Sequence, residues 1–238
     1  MSLCFILSAG CSSTLIKEEP TTTPSQTTQA NPENGDASKF PPCPVDLAKY
    51  MTENIEVYAY IYIPGTNISY PVVQSRHDDN YYLRRNWKGK KEGRGCIYSQ
   101  LCNNRFFTDP VTVLYGHNTA DGDMFSDLLK YKDKQFFGDN NTIYVYLPYG
   151  VLVYQIFSSH SFDDRHIMNS YDFSKPEVLA EFQQTLLDPP VLEKTVMEDV
   201  ELCPESQILI LSTCGEARSG CKTRYLVNGV LTDYAIYS

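Results

Sequence analysis

Ile208-Leu209-Ile210-Leu211-Ser212-Thr213-Cys214-Gly215 is an apolar run that ends in two small polar residues, a cysteine and a glycine. It reads as a buried strand that carries a thiol to its exposed tip, where backbone amides can also point at a reacting carbonyl. Taken alone, it is equally well a strand that ends in a small buried hydrophobe, since free cysteine packs as one. A second stretch, Val111-Thr112-Val113-Leu114-Tyr115-Gly116-His117-Asn118, has the same plan: an apolar strand, a glycine, then a titratable side chain. Further β-rich runs lie at residues 57–63, 70–73, 95–98, 142–147, 151–158 and 225–236. Seven or eight short strands without regular helices between them predict a mainly β fold, closed into an antiparallel-rich barrel.

Helical spacing interrupts that pattern in a few places. Val45, Leu47, Ala48 and Met51 predict a short N-terminal helix, and residues 79–83 the start of another. Residues 123–131 place Met124, Phe125, Leu128 and Leu129 on one face; residues 175–187 do so with Val178, Leu179, Phe182 and Leu186. Both amphipathic segments should pack on the barrel. Asn228-Gly229 is a hairpin signal, and is also compatible with one bent strand. No internal repeat is present.

The 238 residues are 42% hydrophobic, enough for one substantial core and a tail. A formal charge of −9 argues against a nucleic-acid partner, because that affinity comes largely from Lys and Arg neutralising phosphates. The eight cysteines, at 4, 11, 43, 96, 102, 203, 214 and 221, form no Cys-x-x-Cys pair, so neither a structural metal nor a cofactor is expected. Residues 12–44 are rich in Thr, Pro, Gln, Asn, Glu and Ser, with little apolar surface to offset the entropy of ordering; they read as a flexible linker. The globular domain is expected over 45–238. Before the linker, Ser8-Ala9-Gly10-Cys11 follows the apolar Cys4-Phe5-Ile6-Leu7 and resembles a bacterial lipoprotein cleavage box, though Ser8 stands where Leu is usual and no basic residue precedes the run. That resemblance implies a lipidated Cys11 and a membrane anchor confined to residues 1–11.

The reactive form of cysteine is the thiolate, and a neighbouring imidazolium can lower a thiol's pKa. His117, at a strand end, is the best-placed partner for Cys214. His77, His160 and His166 sit among charged residues and read as solvated loop positions. Arg224, ten positions after Cys214, opens the apolar Tyr225-Leu226-Val227; its guanidinium can donate to an oxyanion without risk of deprotonation.

These residues resemble the sortases, Gram-positive transpeptidases with an eight-stranded barrel and a Cys-His-Arg site. The Leu-x-Thr-Cys signature stands here as Leu211-Ser212-Thr213-Cys214, with Arg224 at the start of the next strand and Tyr115-Gly116-His117-Asn118 as the histidine motif. Further matches run from Ile63 to Gln74, at Asp79-Asn80-Tyr81-Tyr82-Leu83 and from Asp121 to Leu128. The N-terminal helix, the Cys-to-Arg spacing and a helical insertion between two late strands resemble class B. The resemblance implies Cys214 as nucleophile, His117 as proton partner and Arg224 as oxyanion stabiliser, with Ser212 and Asn67 in contact with substrate and the insertion walling the groove. It also implies partners: secreted surface proteins with a C-terminal sorting signal cleaved after Thr, and an acceptor amine from peptidoglycan precursor or a pilin, at the outer face of the membrane. Cys221 is an incidental loop thiol, a disulfide partner that silences Cys214, or a redox guard, and Cys96 can pair with Cys102. An L,D-transpeptidase, or a non-catalytic surface binding module on the same barrel, are the alternatives.

Overall fold

The computed structural model describes residues 36–218 and 220–237. The anchor segment 1–11, with Cys11, and the linker through residue 35 lie outside them. The packed chain begins earlier than the expected boundary at residue 45. Ala37, Phe40 and Cys43 lie against the core, and Pro41 accepts a 2.9 Å hydrogen bond from the Tyr146 hydroxyl. Helix α1 (Leu47–Glu53) follows, capped by the Asp46 carboxylate, which accepts from the Lys49 N–H.

The barrel comprises β1 (Val57–Tyr62), β2 (Ser69–Val73), β3 (Ile97–Tyr98), β4 (Val111–Tyr115), β5 (Thr142–Leu147), β6 (Gly150–Asp163), β8 (Ile208–Cys214) and β9 (Thr223–Ile236). Their order is β5-β1-β2-β3-β4-β8-β9-β6, and a β5–β6 pairing closes the ring of eight, as the mainly β reading expected. A ninth strand, β7 (Lys194–Val196), adds to the far end of β6. Two pairings are parallel, β2–β3 and β4–β8. The second matters most for function, because parallel neighbours end on the same side.

Strand β8 is apolar at every position from 208 to 211 because both of its faces are covered. Leu209 and Leu211 point into the barrel with Leu114 and Val227, while Ile208 and Ile210 join Val111 and Val113 beneath α4 (Pro176–Leu187). That helix starts with Pro176, whose missing N–H costs nothing in the first turn, and buries Leu179, Phe182 and Leu186 as its periodicity predicts. A four-residue helix, α3 (Ile167–Ser170), precedes it.

Two expectations are corrected. Residues 123–131 form a 3-10 helix over Ser126–Lys132 followed by an unforeseen α2 (Lys134–Asp139), with Asp133 capping α2 at the junction. The late strands are long: β6 and β9 have 14 residues each and pair along their whole length. Of the two readings of Asn228-Gly229, the bent strand is the one observed: the pair lies in the middle of β9, opposite the register shift between Ile156 and Ser158. A Cβ on Gly229 would come within 3.1 Å of Tyr154, so glycine lets the bent strand close on the barrel interior.

Candidate active site

Antiparallel register sets Cys214, the last residue of β8, directly opposite Arg224. Arg224 Nη1 lies 3.9 Å from Cys214 Sγ and also donates to the carbonyls of Cys221 (2.9 Å) and Thr223 (3.2 Å). The guanidinium is therefore held by main chain rather than by a carboxylate, and its charge remains available to whatever forms at the thiol.

The parallel neighbour β4 ends at the same side. Beyond it, the Gly116 N–H donates to the Ser212 carbonyl at 3.1 Å. A Cβ at Gly116 would stand 2.5 Å from Ile97 and 2.7 Å from Phe125, so only glycine lets the chain pass. The next two residues lie at the Cys214 end of β8. His117 lines the cleft with Cys214, and the Asn118 side-chain amide donates to the Cys214 carbonyl at 3.1 Å. His117 Nε2 sits 2.7 Å from the Leu83 carbonyl, an acceptor only, so Nε2 carries the proton and Nδ1 is left as the basic nitrogen of the neutral ring.

The cleft has a volume of about 400 Å³ and is basic for so acidic a chain, with Arg84, Arg94, Arg218 and Arg224 along it. Arg94 pairs with Asp123 and Glu92, and Arg218 with Glu216. Next to it is a smaller apolar recess of about 90 Å³, where Leu83, Tyr98, Tyr115, Ser212 and Thr213 meet Cys214. The Tyr98 and Tyr115 rings stack at 5.5 Å. Burial pushes the Cys214 thiol up from its ordinary value; Arg224 pulls it down, and the nearby Cys221 adds to the rise.

Of the residues expected at the site, Cys214, His117, Arg224 and Ser212 come together. Asn67 lines neither cavity: it lies in the β1–β2 turn, where its N–H donates to Asp127 at 2.7 Å. No residue of α4 lines the Cys214 cleft, so the insertion does not wall it there. His160 is not a solvated loop residue. It is 3% exposed on β6, contacts the Asn228 amide at 3.3 Å, and burial pushes its pKa down to about 4. His166 caps α3, accepting from the Asn169 N–H, whereas His77 is exposed as expected. Cys96 and Cys102 are separate free thiols, one buried and one exposed. Asn118 and Leu83 were missed as working parts. Asn118 stands in the Tyr115–Asn118 motif and is legible there, but Leu83 meets His117 through its backbone carbonyl and leaves no side-chain signal.

A sortase-domain family model matches residues 61–232. Sortase B of Listeria monocytogenes is 30% identical, over 78% of this chain and 74% of that protein. Sortase B of Staphylococcus aureus is 27% identical, over 73% and 69%. The crystal structure of Clostridium perfringens sortase B superposes with a TM-score of 0.69 at 26% identity, covering 79% of this chain and 100% of that one. These matches displace the L,D-transpeptidase alternative. The chain belongs to the sortase family, in its class B, and is by that membership a cell-wall sorting transpeptidase of the cell envelope.

Proposed function

We propose that the protein cleaves the C-terminal sorting signal of secreted surface proteins after Thr and transfers the acyl group to an amine, through a thioester on Cys214. The observation that carries this reading is the meeting of three strand ends: Cys214 opposite Arg224 in register, with His117 delivered by the parallel β4. As the Cys214 sulfur attacks the Thr carbonyl, the thiol proton passes to His117. The oxyanion forms beside Arg224, whose fixed charge favours the tetrahedral state over the planar substrate. His117 then protonates the departing amine, and the thioester awaits an acceptor amine, which keeps the acyl bond from being lost to water. Ser212, 5% exposed at the apolar recess, is placed to touch the bound peptide. The acceptor is read as a peptidoglycan precursor, with a pilin amine as the second candidate.

Cys214→Ala should abolish cleavage of a quenched sorting peptide and the thioacyl adduct seen by mass spectrometry. Cleavage persisting in that variant refutes Cys214 as nucleophile, whereas binding of sorting peptides without cleavage by the unaltered protein would leave the non-catalytic binding module standing. Anchoring through a lipidated Cys11, with residues 12–35 as tether, completes the proposal: Cys11→Ala should release the protein from the membrane fraction, and unchanged fractionation would refute the anchor. Among the described residues no helix is long and apolar enough to cross a membrane.

A further inference from the structure

Cys221 stands in the same cleft as Cys214, seven residues along the β8–β9 connection, and transpeptidation has no use for it. A single guanidinium nitrogen ties the two together: Arg224 Nη1 contacts Cys214 Sγ at 3.9 Å and the Cys221 carbonyl at 2.9 Å. The Cys221 sulfur is turned toward Thr223, 3.2 Å from its hydroxyl and 3.2 Å from its carbonyl. The environments of the two thiols differ in kind. Burial pushes Cys214 up, whereas at Cys221, itself only 6% exposed, hydrogen bonding with the Thr223 hydroxyl, helped by backbone hydrogen bonds of Thr223 and Glu216, outweighs burial and holds the thiol below its ordinary value. Cys43, Cys96 and Cys102 are all pushed up by burial. Within the connection Gly215 is packed against Thr223, whereas Gly220, at φ +72°, has no atom within 4 Å of where a Cβ would be and leaves room for movement next to Cys221.

We propose that Cys221 is a capture site for small-molecule disulfides and that it passes the oxidation to Cys214, closing a reversible Cys214–Cys221 bond that switches transpeptidation off. In the first step the Cys221 thiolate attacks a disulfide RSSR, forming protein–S–SR and releasing RS⁻. In the second, the Cys214 thiolate attacks the Cys221 sulfur, forming the internal disulfide and releasing a second RS⁻. Each leaving thiolate takes up the proton that a protein thiol gave up. The two protein thiols are oxidised and RSSR is reduced to two RSH. Closure needs the Cα atoms within about 4.4–6.8 Å and the Cys221 sulfur to leave Thr223. The bond consumes the nucleophile.

The switch-off rests on the reading of Cys214 as nucleophile, but the disulfide itself does not, and the test separates them. Wild type, Cys214→Ser and Cys221→Ser are incubated with glutathione disulfide, and each activity on a sorting peptide is normalised to that of the same variant kept reduced. Non-reducing peptide mapping follows. The expected result is a Cys214–Cys221 linked peptide in wild type, a stable glutathione adduct on Cys221 in Cys214→Ser, and wild-type activity lost and recovered with dithiothreitol. Cys221→Ser should lose its normalised activity at least tenfold more slowly. A wild-type map without that linked peptide, or equal inactivation rates in wild type and Cys221→Ser, overturns the proposal. Cleavage by reduced Cys214→Ser would instead overturn the nucleophile assignment, with the map still deciding the disulfide.

Discussion

At Cys214 two influences on the thiol oppose each other. Burial disfavours the thiolate and Arg224 favours it, and burial is the larger, so the thiol is held above its ordinary value. In the proposed reaction the proton leaves as substrate arrives, and Nδ1 is the His117 nitrogen open to it, because Nε2 faces the Leu83 carbonyl. Replacing Arg224 removes the stabilising charge and moves the thiol pKa further up. Arg224→Ala should shift the pH midpoint of iodoacetamide labelling at Cys214 upward and lower kcat for the sorting peptide by roughly 10²–10³, the usual cost of losing an oxyanion donor. An unmoved midpoint would mean that the guanidinium does not act on the sulfur.

Strand β8 shows how an element serves both packing and chemistry. Its alternate residues face the barrel interior and α4, so the tip that bears Cys214 is clamped on both sides and points where the β9 register sends it. Phe182 of α4 is 1% exposed and packs with Tyr171 and Phe173 at ring separations of 4.7 and 4.9 Å. Phe182→Ala should cost about 3–5 kcal/mol by urea titration, the range for a buried Phe whose cavity closes only in part. A cost below about 1 kcal/mol would show that α4 is not clamped on the strand. Because α4 does not line the cleft, its loss should act through stability before it touches the chemistry.

For the molecule as a whole, the buried polar seam between β6 and β9 sets the response to acid. Ser158, Ser159, His160 and Asn228 are all under 4% exposed; Ser159 donates to the Tyr131 carbonyl and accepts from the Tyr225 hydroxyl, while Asn228 donates to Ser158 and leaves its Oδ1 without a partner among the described residues. His160 is held neutral: its pKa falls from the ordinary value of 6.5 to about 4, chiefly by burial, with Lys194 adding to the effect. The unfolded chain thus binds a proton that the folded one refuses. Stability from this residue is whole above pH 6.5 and is lost as the pH falls toward 4. The loss amounts to about 3 kcal/mol at about 1.36 kcal/mol per pKa unit. His160→Gln should flatten the decline of melting temperature between those pH values, and an unchanged slope would place the acid sensitivity elsewhere.

Local patterns in the chain were enough to name the strand tips that carry Cys214, His117 and Arg224, to expect a closed β barrel, and to place α4, because each rests on spacing along a short segment. Apolar runs ending in glycine or small polar residues carry their own meaning. Other features depend on partners far away in the chain. The Asn118–Cys214 bond spans 96 residues and the His117–Leu83 bond 34, and each ends on a backbone carbonyl that any residue could supply. The full length of β6 was hidden because Ser158-Ser159-His160-Ser161 looks like a loop until a neighbouring strand satisfies its polar groups. The placing of Cys221 in the Cys214 cleft belongs to the same class: chain spacing brings two cysteines near each other, but only the fold of the β8–β9 connection over Arg224 decides that they share one cavity.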